Sequence, residues 1–207
     1  MFEYLKGYEE IFVTGMQRTG TTICARMIQY DIEAPYCIWT GNNVKRILDL
    51  KEYPIEIPYP VIFHCPGLSH LIHRIESETE LDKLATVWVR RDKDEIVNSA
   101  IKVHWDPRSD LETYNLLSTR DLKMDINMLI TAKESRWKEQ KKEIQNWFEV
   151  DYEDLKSHPL WINDKDRSFR GNHRSTSPGL VGVIGSTPYP WEGGELEPLL
   201  KEFPKDE

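Results

Sequence analysis

The chain is poor in cysteine, in long apolar runs and in positive charge, and each shortage closes off a class of function. Only 3 cysteines, Cys24, Cys37 and Cys65, stand among 207 residues. No two of them have metal-ligand spacing, and an odd count argues against a disulfide framework, so reduced structural thiols are expected. No apolar run approaches the ~20 residues needed to cross a bilayer. No secretory leader pattern precedes the first apolar segment, and a cytoplasmic location without a membrane span is the expectation. The formal net charge of −8 disfavours nonspecific binding to nucleic acid, which would need an extended basic face. A polyanionic ligand would have to be held by a few well-placed arginines. The chain has no internal repeat and no low-complexity tract.

What is present suits a globular α/β protein. With 39% hydrophobic and 30% charged residues, the composition is ordinary, and the length fits one well-buried domain better than two. Apolar runs predict strands at residues 11–14, 61–64, 86–90 and 147–150. Helical spacing predicts helices at about 21–30, 43–52, 69–76 and 121–146, the last with a solvated charged face. Asp92-Lys93-Asp94-Glu95 has the pattern of a capping box and opens a further helix to about Val103. Alternating strands and helices predict a three-layer α/β domain with a mostly parallel central sheet, its core at about residues 9–159. Six of the 11 glycines and six of the 12 prolines lie at or beyond Pro159, so residues 160–207 read as a loop-rich tail or flap.

The segment Ile11-Phe12-Val13-Thr14-Gly15-Met16-Gln17-Arg18-Thr19-Gly20-Thr21-Thr22 reads as a buried strand, a glycine loop and a helix start. That arrangement turns backbone N–H groups and a helix N-terminus toward one anion. The nucleotide-hydrolase pattern G-x-x-x-x-G-K-[ST] requires a lysine after the second glycine. Thr21 stands there instead, and the basic residue, Arg18, comes two positions before Gly20. The loop suits a phosphate without the lysine of triphosphate chemistry.

On these residues the chain resembles the sulfotransferase superfamily, whose members transfer a sulfuryl group from 3′-phosphoadenosine 5′-phosphosulfate (PAPS). The family's loop is similar to [KR]-[ST]-G-[ST]-[ST], and Arg18-Thr19-Gly20-Thr21-Thr22 matches each position. A second segment, Arg91 with Ser99 eight residues later and Asp94 between, looks like the family's 3′-phosphate motif. The proline that usually follows the arginine is replaced by Asp92-Lys93. Arg90 is adjacent but points to the other face of its strand, so spacing favours Arg91. The third match, Tyr152-Glu153-Asp154-Leu155, resembles a segment whose tyrosine lies near the adenine. Arg170, in Phe169-Arg170-Gly171, stands faintly where the family closes a loop over the 3′-phosphate, with Arg167 and Arg174 as substitutes. The family's aromatic residue after the glycine loop is Ile23 here.

The resemblance implies a donor site built from Gly15, Gln17, Arg18, Thr19, Gly20, Thr21, Thr22, Arg91, Ser99, Tyr152 and Arg170. Arg18 would neutralise charge on the departing 5′-phosphate. His64, in His64-Cys65-Pro66, occupies the place of the family's base, and a histidine titrating near neutrality suits removal of an alcohol proton. PAPS is the implied donor, with no metal. The acceptor is a small molecule, carbohydrate, lipid or peptide hydroxyl, or an amine. Two other readings share the same start: a P-loop nucleoside or small-molecule kinase, which would need magnesium and ATP, and a non-catalytic nucleotide-binding module.

Overall fold

A computed structural model of the chain describes residues 1–39, 59–73, 81–161 and 182–184. Strand β1, Glu10–Gly15, is buried along its whole length. Its Ile-Phe-Val run is apolar on both faces because both are covered, as in a central parallel strand. Strand β3, Val61–His64, lies parallel on one side, with Val13 opposite His64. Strand β4, Leu84–Arg90, lies parallel on the other, with Gly15 opposite Val89. Outside these run β2, Tyr36–Trp39, against β3, and β5, Trp147–Asp151, against β4. A short sixth strand, β6, Gly182–Ile184, pairs antiparallel with β2 at the edge. The order is β5-β4-β1-β3-β2-β6.

Helices cover both faces. Helix α1, Thr21–Ile32, lays Cys24, Met27 and Ile28 on Ile11, Val13, Val87 and Val89. It ends at Glu33, which takes a left-handed φ of 56°, and Pro35 follows, where a helix cannot continue. The opposite face gathers Phe12, Phe63 and Trp88 against Trp137 of α4, Leu122–Gln140. Phe12 and Phe63 stack at 5.0 Å, and Trp88 and Trp137 at 4.8 Å. Helices α2, Lys93–Lys102, and α3, Arg108–Thr113, pack on α4 through Ile96, Val97, Leu111, Ile126 and Ile130, and Met16 of the glycine loop joins them. The loop is thereby anchored by an apolar side chain on the helix layer. All three cysteines are free and buried, and burial raises their pKa values, which keeps the thiols neutral and inert.

The connections decide where a ligand belongs. The chain leaves β1 toward β2 and β3 on one side, then crosses to β4 and β5 on the other. The crevice at the carboxyl ends of β1 and β4 is the topological switch point, where open α/β sheets bind ligands.

The four expected strands are all present, three of them slightly longer than expected. Strand β2 was not among them, because Tyr36-Cys37-Ile38-Trp39 is a four-residue run directly after Pro35. Helix α3 was not expected either, since six residues rich in charge carry no period. Asp92 caps α2, accepting from the Glu95 N–H at 3.1 Å. The reciprocal half of the capping box is not made, since Glu95 holds Arg91 instead. Helix α4 stops at Gln140, short of the expected residue 146, and Ile144 turns into the core. The helix expected at 43–52 lies outside the described residues, as does that at 69–76 beyond residue 73. The tail at 160–207 also lies outside them, apart from residues 160–161 and β6.

Candidate functional site

The glycine loop is shaped by two residues that cannot carry a side chain. Gly15 has φ +149°, and a Cβ there would meet the Val89 carbonyl oxygen at 2.7 Å. Gly20 has φ +93°, and its Cβ would meet the ring of Tyr152 at 2.5 Å. Between them Arg18 is left-handed at φ 73°, a conformation that costs a non-glycine residue about 1–2 kcal/mol and belongs to sites where the surroundings impose it. Thr19 spends its hydroxyl on the Met16 carbonyl at 2.7 Å, which pins the loop. The N–H groups of Gly20, Thr21, Thr22 and Ile23 donate to no backbone carbonyl among the described residues. These are the unpaired donors of a helix start, and together with the dipole of α1 they form a cradle for an anion.

Two guanidinium groups converge on this loop. Arg91 donates to the Arg18 carbonyl at 3.0 Å and to Glu95 at 2.8 Å. Arg18 donates through Nε to the Ser99 hydroxyl at 3.3 Å. No carboxylate among the described residues pairs with Arg18. Arg18 is exposed overall, with its guanidinium partly desolvated. Loss of water there, followed by the charge of Arg91, lowers its pKa. It stays charged, since arginine does not deprotonate in proteins. Arg91 is partly compensated by Glu95, whereas Arg18 meets the Arg91 charge without a carboxylate of its own among the described residues.

Arg90 resolves differently. Its fork is filled by Asp151 at 3.0 and 2.8 Å and by Glu149 at 2.9 Å, and the Asp151 partnership raises its pKa. Opposite projection from β4 sends Arg90 to the acids of β5 and leaves Arg91 at the loop.

Tyr152 joins the sheet end to the loop. Its ring is 5% exposed, with the Arg91 guanidinium 3.9 Å above its centroid and Trp161 edge-on at 5.4 Å. One face of the ring is therefore taken by Arg91. A cleft of about 960 Å³ is lined by Tyr152 together with Thr19, Arg91, Trp137 and Lys141. Arg170, Arg167 and Arg174 lie outside the described residues.

His64 ends β3 at 2% exposure. Its Nε2 lies 2.9 Å from the Thr21 hydroxyl and 3.5 Å from that of Thr22. Burial, and then the charge of Arg26, push its pKa down to about 3. The imidazole is neutral near pH 7, which is the form a base needs, but its affinity for a proton is low. Position and titration fit a group that orients the first two residues of α1.

The Gln17 side chain is engaged by the helix layer. Its carboxamide donates to Asp110 on α3 and accepts from Lys133 on α4. Lys133 is fully buried and also pairs with Asp110 at 2.7 Å. Neither Lys133 nor Asp110 was a sequence candidate. Lys133 nevertheless falls on the stripe Ile126, Leu129, Ile130, Lys133, Trp137, and a charge at a core position of an amphipathic helix is the signal that identifies it. Asp110 sits on a helix too short to give any period.

No group of three or more metal-ligating side chains occurs among the described residues, and no helix among them is long and apolar enough to cross a membrane. No protein-family model matches the chain, and no curated protein matches it. Among solved structures, mouse sulfotransferase SULT7A1 complexed with PAP is similar, with 17% identity and a TM-score of 0.45 over 75% of this chain. The chain spans 57% of the length of that neighbour.

Proposed function

We propose that the chain is a sulfotransferase that moves a sulfuryl group from PAPS to a hydroxyl or amine of its acceptor. The observation that supports this most is the convergence of Arg18 and Arg91 on a lysine-free glycine loop, with Ser99 joining them. A donor carrying phosphates at both 5′ and 3′ positions calls for two separate cations in neighbouring places. A triphosphate calls instead for a lysine and a magnesium ion on one side of the loop.

In this reading the open N–H groups of Gly20, Thr21 and Thr22 take the 5′-phosphosulfate, inside the turn that Gly15 and Thr19 shape. Arg18 stabilises the charge that grows on the phosphate oxygen as its bond to sulfur breaks. Its fixed charge serves electrostatics and not proton donation. Arg91 and Ser99 take the 3′-phosphate, for which a guanidinium fork is suited, and Tyr152 backs them. Gln17 acts indirectly, tying the loop to the helix layer. His64 keeps the Thr21 and Thr22 hydroxyls in place, and Arg170 is a candidate to close over the 3′-phosphate. The acceptor is a small molecule, sugar, lipid or peptide side chain, and the reaction proceeds in the cytoplasm without a resident metal.

Release of 3′,5′-adenosine bisphosphate from PAPS, followed by chromatography in the presence of a chelator, tests the reading. Release that one class of alcohol, phenol or sugar accelerates is the expected result. Turnover of ATP that stops with the chelator, with no turnover of PAPS, would replace it with the kinase reading.

A further inference from the structure

The buried group Asp110, Lys133 and Gln17 lies against the glycine loop. Both of its contacts to Asp110 fall on one oxygen, Oδ2, which receives the Lys133 ammonium and the Gln17 amide. The other oxygen, Oδ1, has no hydrogen-bond partner among the described residues. The Asp110 side chain as a whole keeps 8% exposure. The carboxylate is thus clamped through Oδ2 and unpaired at Oδ1 among the described residues.

The clamp also sets position. Lys133 reaches Gln17, one residue before Arg18, and the Pro66 carbonyl at 3.4 Å, two residues after His64. One side chain therefore ties the loop that cradles the anion to the turn beyond β3. The surroundings of Asp110 are polar. Tyr114 shares a hydrogen bond of 3.0 Å with Ser69 and stands edge-on to His70 at 5.5 Å. Its phenol is pushed up to about 12, first by burial, and burial and the Lys133 charge lower the His70 pKa. At neutral pH the charged groups around Asp110 are therefore Lys133 and, farther out, Arg136, with Tyr114 and His70 both neutral. Asp110 is the carboxylate among these groups, paired with Lys133.

We propose, resting on the sulfotransferase reading, that Asp110 is the general base, with Lys133 and Gln17 as its positioning residues. The acceptor O–H presents its proton to Oδ1 while its oxygen attacks sulfur. The new bond forms between acceptor oxygen and sulfur, the bond from sulfur to the 5′-phosphate oxygen breaks, and the leaving electron pair stays on that phosphate. Asp110 ends protonated and returns its proton to solvent. Lys133 holds the carboxylate in place through Oδ2.

Bisphosphate release from PAPS is measured across pH, with water and with phenol as acceptors, in the wild type, Asp110→Asn, Asp110→Glu and the charge-neutral double variant Asp110→Asn/Lys133→Met. The double variant avoids a stranded buried lysine and covers the case in which Asp110→Asn fails to fold. Bisphosphate affinity is titrated alongside. The assignment expects affinity within about twofold of wild type in the folded variants, with transfer reduced about 10²–10⁴-fold in both Asn-containing variants. The acidic limb of the pH profile disappears with it, and Asp110→Glu restores part of the rate. Unchanged transfer, a retained acidic limb, or affinity lost in parallel with rate would overturn it. A wild type that binds no bisphosphate refutes the underlying sulfotransferase reading, and the base assignment falls with it.

Discussion

Replacing Gly20 with alanine places a methyl carbon 2.5 Å from Cδ2 and 2.7 Å from Cε2 of Tyr152. Unstrained carbon contacts sit at about 3.5–4.0 Å, so the ring would have to move by about 1 Å. It has little room to do so. Arg91 lies 3.9 Å over its face, Trp161 stands at 5.4 Å, and the ring is 5% exposed. Overpacking of this kind costs about 1–3 kcal/mol. The left-handed backbone at φ +93° adds about 1–2 kcal/mol for a residue with a Cβ. The lower entropy of the unfolded alanine chain offsets about 0.4–1 kcal/mol. The net loss is about 1–5 kcal/mol, read as a fall in the urea midpoint at constant slope. Truncating Tyr152→Ala in the same background removes the clash and leaves the backbone strain. The alanine at position 20 should then cost about 1–3 kcal/mol less than it does beside the intact ring. A loss below about 0.5 kcal/mol, or the same loss with and without the ring, would refute the idea that Gly20 exists to let Tyr152 close on the loop.

Three further outcomes follow from the same geometry. His64, with a folded pKa of about 3 against about 6.5 in the unfolded chain, stabilises the fold fully above pH 6.5 and loses that contribution as pH falls toward 3. At pH 4.5 the loss is about 3 kcal/mol, and His64→Gln should flatten the dependence of the urea midpoint between pH 7 and 4.5; an unchanged slope would count against a buried neutral imidazole. Arg91→Ala should weaken binding of 3′,5′-adenosine bisphosphate about 10–150-fold, the value of charged hydrogen bonds worth about 1.5–3 kcal/mol. Arg90→Ala, which breaks only exposed pairs with Asp151 and Glu149, should change it less than twofold, and equal losses would show that the two arginines share one ligand. Lys133→Met strands the Asp110 carboxylate and should cost about 3–5 kcal/mol in unfolding free energy. Adding Asp110→Asn should recover much of that loss, and a double variant no more stable than the single one would mean that the pair is held by packing.

Much of this structure was legible because its signals are local. The run Ile11–Thr14 has no polar interruption, so a central strand was the available reading, and the glycines after it sit where the backbone needs positive φ. Asp92 announces α2 by a cap that acts within four residues. Arg90 and Arg91 were separable by strand alternation alone, and the acids of β5 then explain where Arg90 goes. The clamp on Gln17 was not legible, because it depends on which helix of three lies above the loop. Lys133 was hidden in a helix that carries many charges, although its place on the apolar stripe marked it. The state of His64 was also out of reach, since its titration depends on burial beneath α1 and on the nearby Arg26. Strand order and the position of the β1–β4 crevice depend on long-range pairing that no short motif encodes.

The measurement that tests the central claim most directly is calorimetric titration of the purified protein with 3′,5′-adenosine bisphosphate, run beside ATP with magnesium. Two cations on a lysine-free loop predict micromolar binding of the bisphosphate, unchanged by a chelator and lost in Arg18→Ala and Arg91→Ala, with ATP far weaker. Binding of ATP that requires magnesium, with no heat from the bisphosphate, would contradict the sulfotransferase reading and everything built on it.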